Sequence, residues 1–175
     1  MAGSDEQLDL GFAVEQTEWG KWVDPERRAA QVWKFMKHAG LQEIPAEPWA
    51  LDAPEVKRLN PIVAELFPDM ATAMAPENAD MADAFICFMG ECFVKYAGAE
   101  WIDEEYFGRE YSFYDHVNPA LLFDNHDEDV ETAYGLMQSI ITRSSGHDGM
   151  FSKLVAILRE YREYYEEKRR EDASM

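Results

Sequence analysis

The chain has 175 residues, inside the roughly 100–200 of one compact unit, so a single globular domain spanning 1–175 is expected. Hydrophobic residues make up 47% and aromatics 13%, more than an acidic disordered chain carries, so the charge belongs to the surface of something that folds. Sixteen basic against 35 acidic residues leave a net charge of −19, which repels phosphates and anionic lipid headgroups and argues against direct binding of nucleic acid or membrane.

The opening Met1 to Leu10 lacks the basic and apolar regions of a secretory signal, and no apolar run reaches the roughly 18–20 residues of a membrane span, so a cytoplasmic location is expected. Residues 1–23 read as an irregular lead-in, docked by Phe12, Val14, Trp19, Trp22 and Val23. Asp24-Pro25-Glu26 then supplies a side-chain acceptor, a pre-set first helical residue and an early acid. Val32, Trp33, Phe35 and Met36 follow, and Gly40 stops this helix. Prolines at 45, 48, 54, 61, 68 and 76 divide the next stretch into short helices. Within it Asp52 to Glu55 resembles a capping box, and Asn60-Pro61 starts a further short helix carrying Ile62, Val63, Leu66 and Phe67.

Residues 79–97 give the strongest core signal: Met81, Phe85, Phe88, Met89, Cys92, Phe93 and Tyr96 recur at three- and four-residue spacing. Asp83, Glu91 and Lys95 fall on the remaining polar stripe. Gly90 implies another backbone packed closely there, and Gly98 ends the helix. Cys87 and Cys92 point about 140° apart at roughly 100° per residue, so they read as buried thiols and not as a disulfide or a zinc pair.

Residues 100–107 and 110–117 alternate aromatic and acidic side chains around Gly108-Arg109 and predict an antiparallel hairpin. Leu121, Leu122 and Phe123 add a third strand or a helical turn. Asp127 is placed to cap a helix holding Val130, Ala133, Tyr134, Met137, Ile140 and Ile141, which ends at Ser144-Ser145-Gly146. A last helix starts near Gly149 and gives way to a charged, frayed end over 166–175. The fold class is therefore α+β, mainly helical, with about four to six helices around a central buried one and a small antiparallel hairpin or sheet.

Chemistry is sparsely signalled. The cluster Asp124 to Asp129 invites a calcium loop, but the places that need Gly and a bidentate Glu hold Asp129 and Gly135, so no metal is expected. His116, His126 and His147 each adjoin an aspartate, which leaves a small acid–base enzyme as a minor alternative if they converge. Phosphate-loop, zinc-protease and nucleophile-elbow motifs are missing from the sequence, and no cofactor is expected. The segment Glu100 to Tyr114 interleaves large aromatics with acids, a pattern suited to a protein interface. The expected partner-binding residues are Trp101, Asp103, Glu104, Glu105, Tyr106, Glu110 and Tyr114, joined by Asp124, Asp127 and Glu128.

The run from Phe88 to Trp101, followed by the aromatic segment and Asn118-Pro119, resembles small actinobacterial proteins of the immunity or antitoxin type. The resemblance covers residues 80–142 and assigns no individual residue a role; the first eighty residues carry no match. It implies an α+β domain that neutralises a toxin by covering its active site. The leading expectation is accordingly a protein-binding module for a basic partner: a toxin, a nuclease or a nucleic-acid-binding protein. A DNA mimic and a phage or prophage accessory protein are the other classes considered.

Overall fold

The computed structural model describes residues 17–104, 111–142 and 149–174. Helix α1 (Glu18–Val23) is short, and Thr17 caps it by accepting from the Gly20 amide at 3.0 Å. This corrects the irregular lead-in for residues 18–23; residues 1–16 lie outside the described part. Asp24 ends α1 and starts α2 (Pro25–Ala39), its carboxylate accepting from the Arg27 amide at 3.1 Å. Gly40 closes α2 in the left-handed region at φ 71°, and the Leu41 amide reaches back to the Met36 carbonyl at 2.8 Å.

Helix α3 (Pro54–Leu66) runs unbroken through Pro61, where a fresh start was expected, and Ala53 opens it with no side-chain cap, so the capping box does not form. Its Val56, Leu59 and Val63 are fully buried, whereas Pro61 is exposed. Burying three such side chains stabilises by roughly 1.5–3 kcal/mol each, which exceeds the roughly 3 kcal/mol cost of an internal proline. Helix α4 (Met70–Ala73), capped by Asp69, and a 3₁₀ turn (Pro76–Asn78) lead into α5 (Ala79–Ala97).

Helix α5 is the central element. It packs against α2 on one side and against α7 (Met150–Ser174) on another, while α3 lies against α7. Phe35 meets Phe85 and Phe88 at 4.8 and 4.7 Å between ring centroids, and Trp49 meets Phe151 at 5.4 Å, so one aromatic cluster joins α2, α5 and α7. Gly98 ends α5 at φ 63° beside the Tyr165 ring. Helix α7 continues through 166–174, where the charge run suggested fraying.

The sheet has three antiparallel strands in chain order: β1 (Glu100–Asp103), β2 (Pro119–Leu122) and β3 (Val130–Thr132). Trp101 stands opposite Leu121, and Leu121 opposite Glu131. The expected hairpin is thereby corrected: β1 pairs with residues 119–122, and the described residues 111–117 form bends and a turn. The proposed turn at Gly108-Arg109 lies outside the described residues. Val130 belongs to β3, so α6 (Ala133–Thr142) starts later than predicted, and Asp127 sits in the loop before β3. Thr132 instead accepts from the Gly135 amide at 2.9 Å at the start of α6. The seven α-helices described and the small antiparallel sheet make the fold mainly helical α+β as expected, with α1 formed where an irregular lead-in was expected and α4 among the short helices expected before Pro76. No described helix is long and apolar enough to cross a membrane.

Gly90 accommodates a side chain and not a neighbouring backbone: a Cβ there would lie 1.8 Å from Cζ2 of Trp101. Gly90→Ala should therefore lose about 1–3 kcal/mol in urea unfolding despite the better helix propensity of alanine. Combining it with Trp101→Leu should cost less than the sum of the two, and strict additivity would show that the two sites are not in contact.

Candidate functional site

The most organised polar constellation is centred on Asp83, which sequence patterning placed on a solvated stripe. It is 6% exposed, because α2 covers that face of α5. Its Oδ2 accepts from Arg27 Nη2 at 2.5 Å and from Gln31 Nε2 at 2.6 Å. Its Oδ1 accepts from Trp22 Nε1 at 3.0 Å and from the Tyr114 hydroxyl at 2.5 Å. Arg27 and Gln31 are one turn apart on α2, Trp22 comes from α1, and Tyr114 is aimed inward by a local loop. In that loop Ser112 accepts from the Tyr114 amide at 3.1 Å and donates to the Val117 carbonyl at 2.8 Å.

Trp22, Arg27 and Tyr114 also wall an open cleft of about 380 Å³, with Glu18, Lys21, Asp115 and His116 at its rim. Trp22, Arg27 and Tyr114 each direct a donor at Asp83, and their rings, the Arg27 side chain and the rim charges border the cleft. Trp22 meets Trp101 and Tyr114 edge-on at 4.8 and 5.7 Å, and Trp19 stacks on Trp22 at 5.5 Å. Cys87, one turn along α5, receives Arg27 Nη1 at 3.8 Å. Burial and then the Asp83 charge push its thiol up to about 12, which removes it as a nucleophile. Burial and the same carboxylate hold the Tyr114 phenol well above its ordinary range. Among the described residues no group of three or more His, Cys, Asp or Glu is placed to hold a metal ion.

The expected partner-binding residues separate into three sets. Trp101 is 9% exposed and turned against Gly90 and Trp22, and Tyr114 serves the Asp83 network, so neither ring stands out from the surface. Asp103 lies at the Pro119 end of the sheet, where its Oδ1 accepts from the Asn118 amide at 2.8 Å, and Glu104 follows it. Asp124, Asp127 and Glu128 lie beyond the Leu122 end, at the other side of a ladder four residues long. The two acidic groups are thus roughly 10 Å or more apart along the strands. Asp124 is bridged to Lys168 at 2.8 Å and also to Arg169, whereas Asp127 and Glu128 are exposed. Glu105, Tyr106 and Glu110 fall outside the described residues.

His116 lines the cleft, and His126 pairs instead with Glu171 on α7, Nε2 to Oε2 at 2.8 Å. His147 falls outside the described residues. One aromatic group at the surface joins α6 to two residues of the Glu100 to Tyr114 segment that were not among the named partner-binding residues: Tyr111, 51% exposed, meets Tyr134 of α6 edge-on at 5.8 Å, and Phe113 meets Tyr134 at 6.0 Å. Its only sequence signal was the aromatic density of 111–114. For Asp83 the signal was an acid inside the longest apolar run of the chain.

Comparison with models of known families, with curated proteins and with solved structures returns no match.

Asp83→Ala should cost about 3 kcal/mol in urea unfolding, since it strands the half-buried Arg27 guanidinium and three further donors. Alkaline pH provides a second test. The folded-state values of Cys87, Cys92, Tyr96 and Tyr114 all lie above the ordinary 9.0 for a thiol or 10.0 for a phenol, mainly through burial. Raised folded values mean that stability is fully present below those ordinary values and is lost as pH rises through them, by up to about 1.4 kcal/mol per group per pH unit. Unfolding free energy should therefore be level to about pH 9 and fall steadily above it; a curve still level at pH 11 would contradict the buried network.

Proposed function

We propose that the chain is a protein-binding module whose acidic surface covers a basic partner, in the manner of an immunity or antitoxin-like protein. The observation that carries this is how the chain uses its cations. Arg28, Arg58, Lys95, Lys153, Arg159 and Arg162 donate to backbone carbonyls, several of them at helix C-termini. Lys34, Lys168, Arg169 and Arg170 pair with acids of the chain itself. With these ten of the sixteen cations held within the chain and a net charge of −19, carboxylates dominate the field that an incoming partner meets. Such a field raises the association rate with a basic protein and disfavours acidic competitors.

The anchor for that surface is the Tyr111, Phe113 and Tyr134 group. Tyrosine supplies large, rigid contact area at little entropic cost, and its ring face attracts Lys and Arg. Asp115 lies in the same segment, and Glu131 follows on β3 just before α6. The cleft at Trp22 adds ring faces and charged side chains of the kind that a protein partner can use.

The test starts from the full chain, tagged, as bait in nuclease-treated lysate of its native host at low and moderate salt. One stoichiometric basic partner, released as salt rises, is expected. Tyr111→Ser should then weaken its binding about tenfold. Asp127→Lys with Glu128→Lys should mainly slow association. Unchanged rate and affinity in both variants would sink the reading, and competition by duplex DNA for the partner would redirect it to a DNA mimic.

A further inference from the structure

Trp33 is out of keeping with the core-facing pattern that predicted it. It is 55% exposed, and with Val32, Met36 and Val94 it lines a groove of about 540 Å³ between α2 and α5. Arg28 stands on the α2 side of this groove and Glu91 on the α5 side. Both are half-buried, and among the described residues neither forms an ion pair; Arg28 donates only from Nε, to the Val23 carbonyl at 2.7 Å.

We infer that this groove is where two copies of the chain associate about a two-fold axis, Arg28 of each copy meeting Glu91 of the other. In a two-fold interface a contact from one residue to another is made twice, so a groove with one unpaired cation and one unpaired acid is complementary to itself. Electrostatics selects the same face. Helix α2 carries four cations (Arg27, Arg28, Lys34, Lys37) and one acid, Glu26, for 4 − 1 = +3. Arg27 is neutralised by Asp83 and Lys34 by Asp80. Of the residues that line the groove, Arg28 and Glu91 carry charge, a local balance of 1 − 1 = 0 on a chain of net −19. Two copies of so acidic a chain repel one another, and the repulsion is weakest between faces whose own charges balance. A basic partner, by contrast, would meet Arg28 here, which separates this face from the acidic surface proposed for partner binding. Ala29, a small exposed residue on the groove lining, lets a second helix come near, and Trp33 has the size and exposure of an interface anchor.

The measurement is sedimentation equilibrium on the full chain from about 1 to about 100 µM at physiological salt, where the mass of a pair enters reversibly with concentration. The expected limit is 2 × 20.2 = 40.4 kDa. Trp33→Glu, on an exposed side chain and so folded by circular dichroism, should weaken the dimer about 30-fold or more. Arg28→Glu and Glu91→Arg should each weaken it about tenfold, and the two together should restore it to within about threefold, which a merely structural role for either residue would not produce. A mass of 20.2 kDa at every concentration overturns the inference, as does a dimer indifferent to Trp33→Glu or a double charge swap that fails to restore association. Loss of the dimer leaves the Tyr111 and acidic-surface tests untouched, so the two proposals fail separately.

Discussion

One buried carboxylate holds the order of this fold. Asp83 sits on the central helix, where the apolar run would favour any aliphatic side chain, and its burial as an ion is tolerated only because four donors converge on its two oxygens. Those donors come from α1, from α2 twice and from the loop before β2. Each element has an apolar face that would pack on α5 in several rotations. Directional bonds of 2.5–3.0 Å admit few of these arrangements. Hydrophobic burial supplies the driving force, and the Asp83 network selects among the packings it permits.

The sheet is positioned by a second, purely steric fit. Trp101 leaves β1 toward α5 and fills the space that Gly90 leaves open, and its indole then forms a surface for Trp22. Its packing against Gly90 and Trp22 sets the ring. The same tryptophan therefore ties β1 to α5 and borders the Asp83 network through Trp22. Four strand residues pair too little backbone to hold by themselves; docking onto a helix gives them independent support.

These two features mark where the sequence could be read and where it could not. Helices α2 and α5 were legible because Asp24-Pro25, Gly40 and Gly98 are local signals and the apolar spacing between them is regular. Helix α3 was misdivided because the proline cost is local whereas the burial of Leu59 and Val63 that overrides it is tertiary. Strand β2 was missed as the partner of β1 because alternation in 110–117 looks like a strand whether or not anything pairs with it. Asp83 was assigned to solvent because a helical wheel records spacing and knows nothing of α2 lying over that stripe. Trp33 shows the converse error: it shares the spacing of Val32 and Met36, yet the turn of α2 leaves it outside. Of the expected site residues, Asp127 and Glu128 were legible as surface acids, whereas Trp101 and Tyr114 turned inward for partners far away in sequence.

The charge pattern follows from a related constraint. A chain this acidic must still satisfy the carbonyls that helices leave open at their C-terminal ends, and its long basic side chains do so at α1, α2, α5 and α6. Others hold α7, whose six cations and six acids balance, to the loop after β2 through Asp124. A cation bound to a carbonyl keeps its charge but loses its reach, so it lowers the internal cost of folding without offering a mobile basic group to the surface. At α2, Arg28 is tied to the Val23 carbonyl through Nε, yet among the described residues it meets no acid and stands beside the exposed Trp33. A groove whose lining charges balance, on a chain of net −19, opposes the approach of a second copy less than an acidic face would.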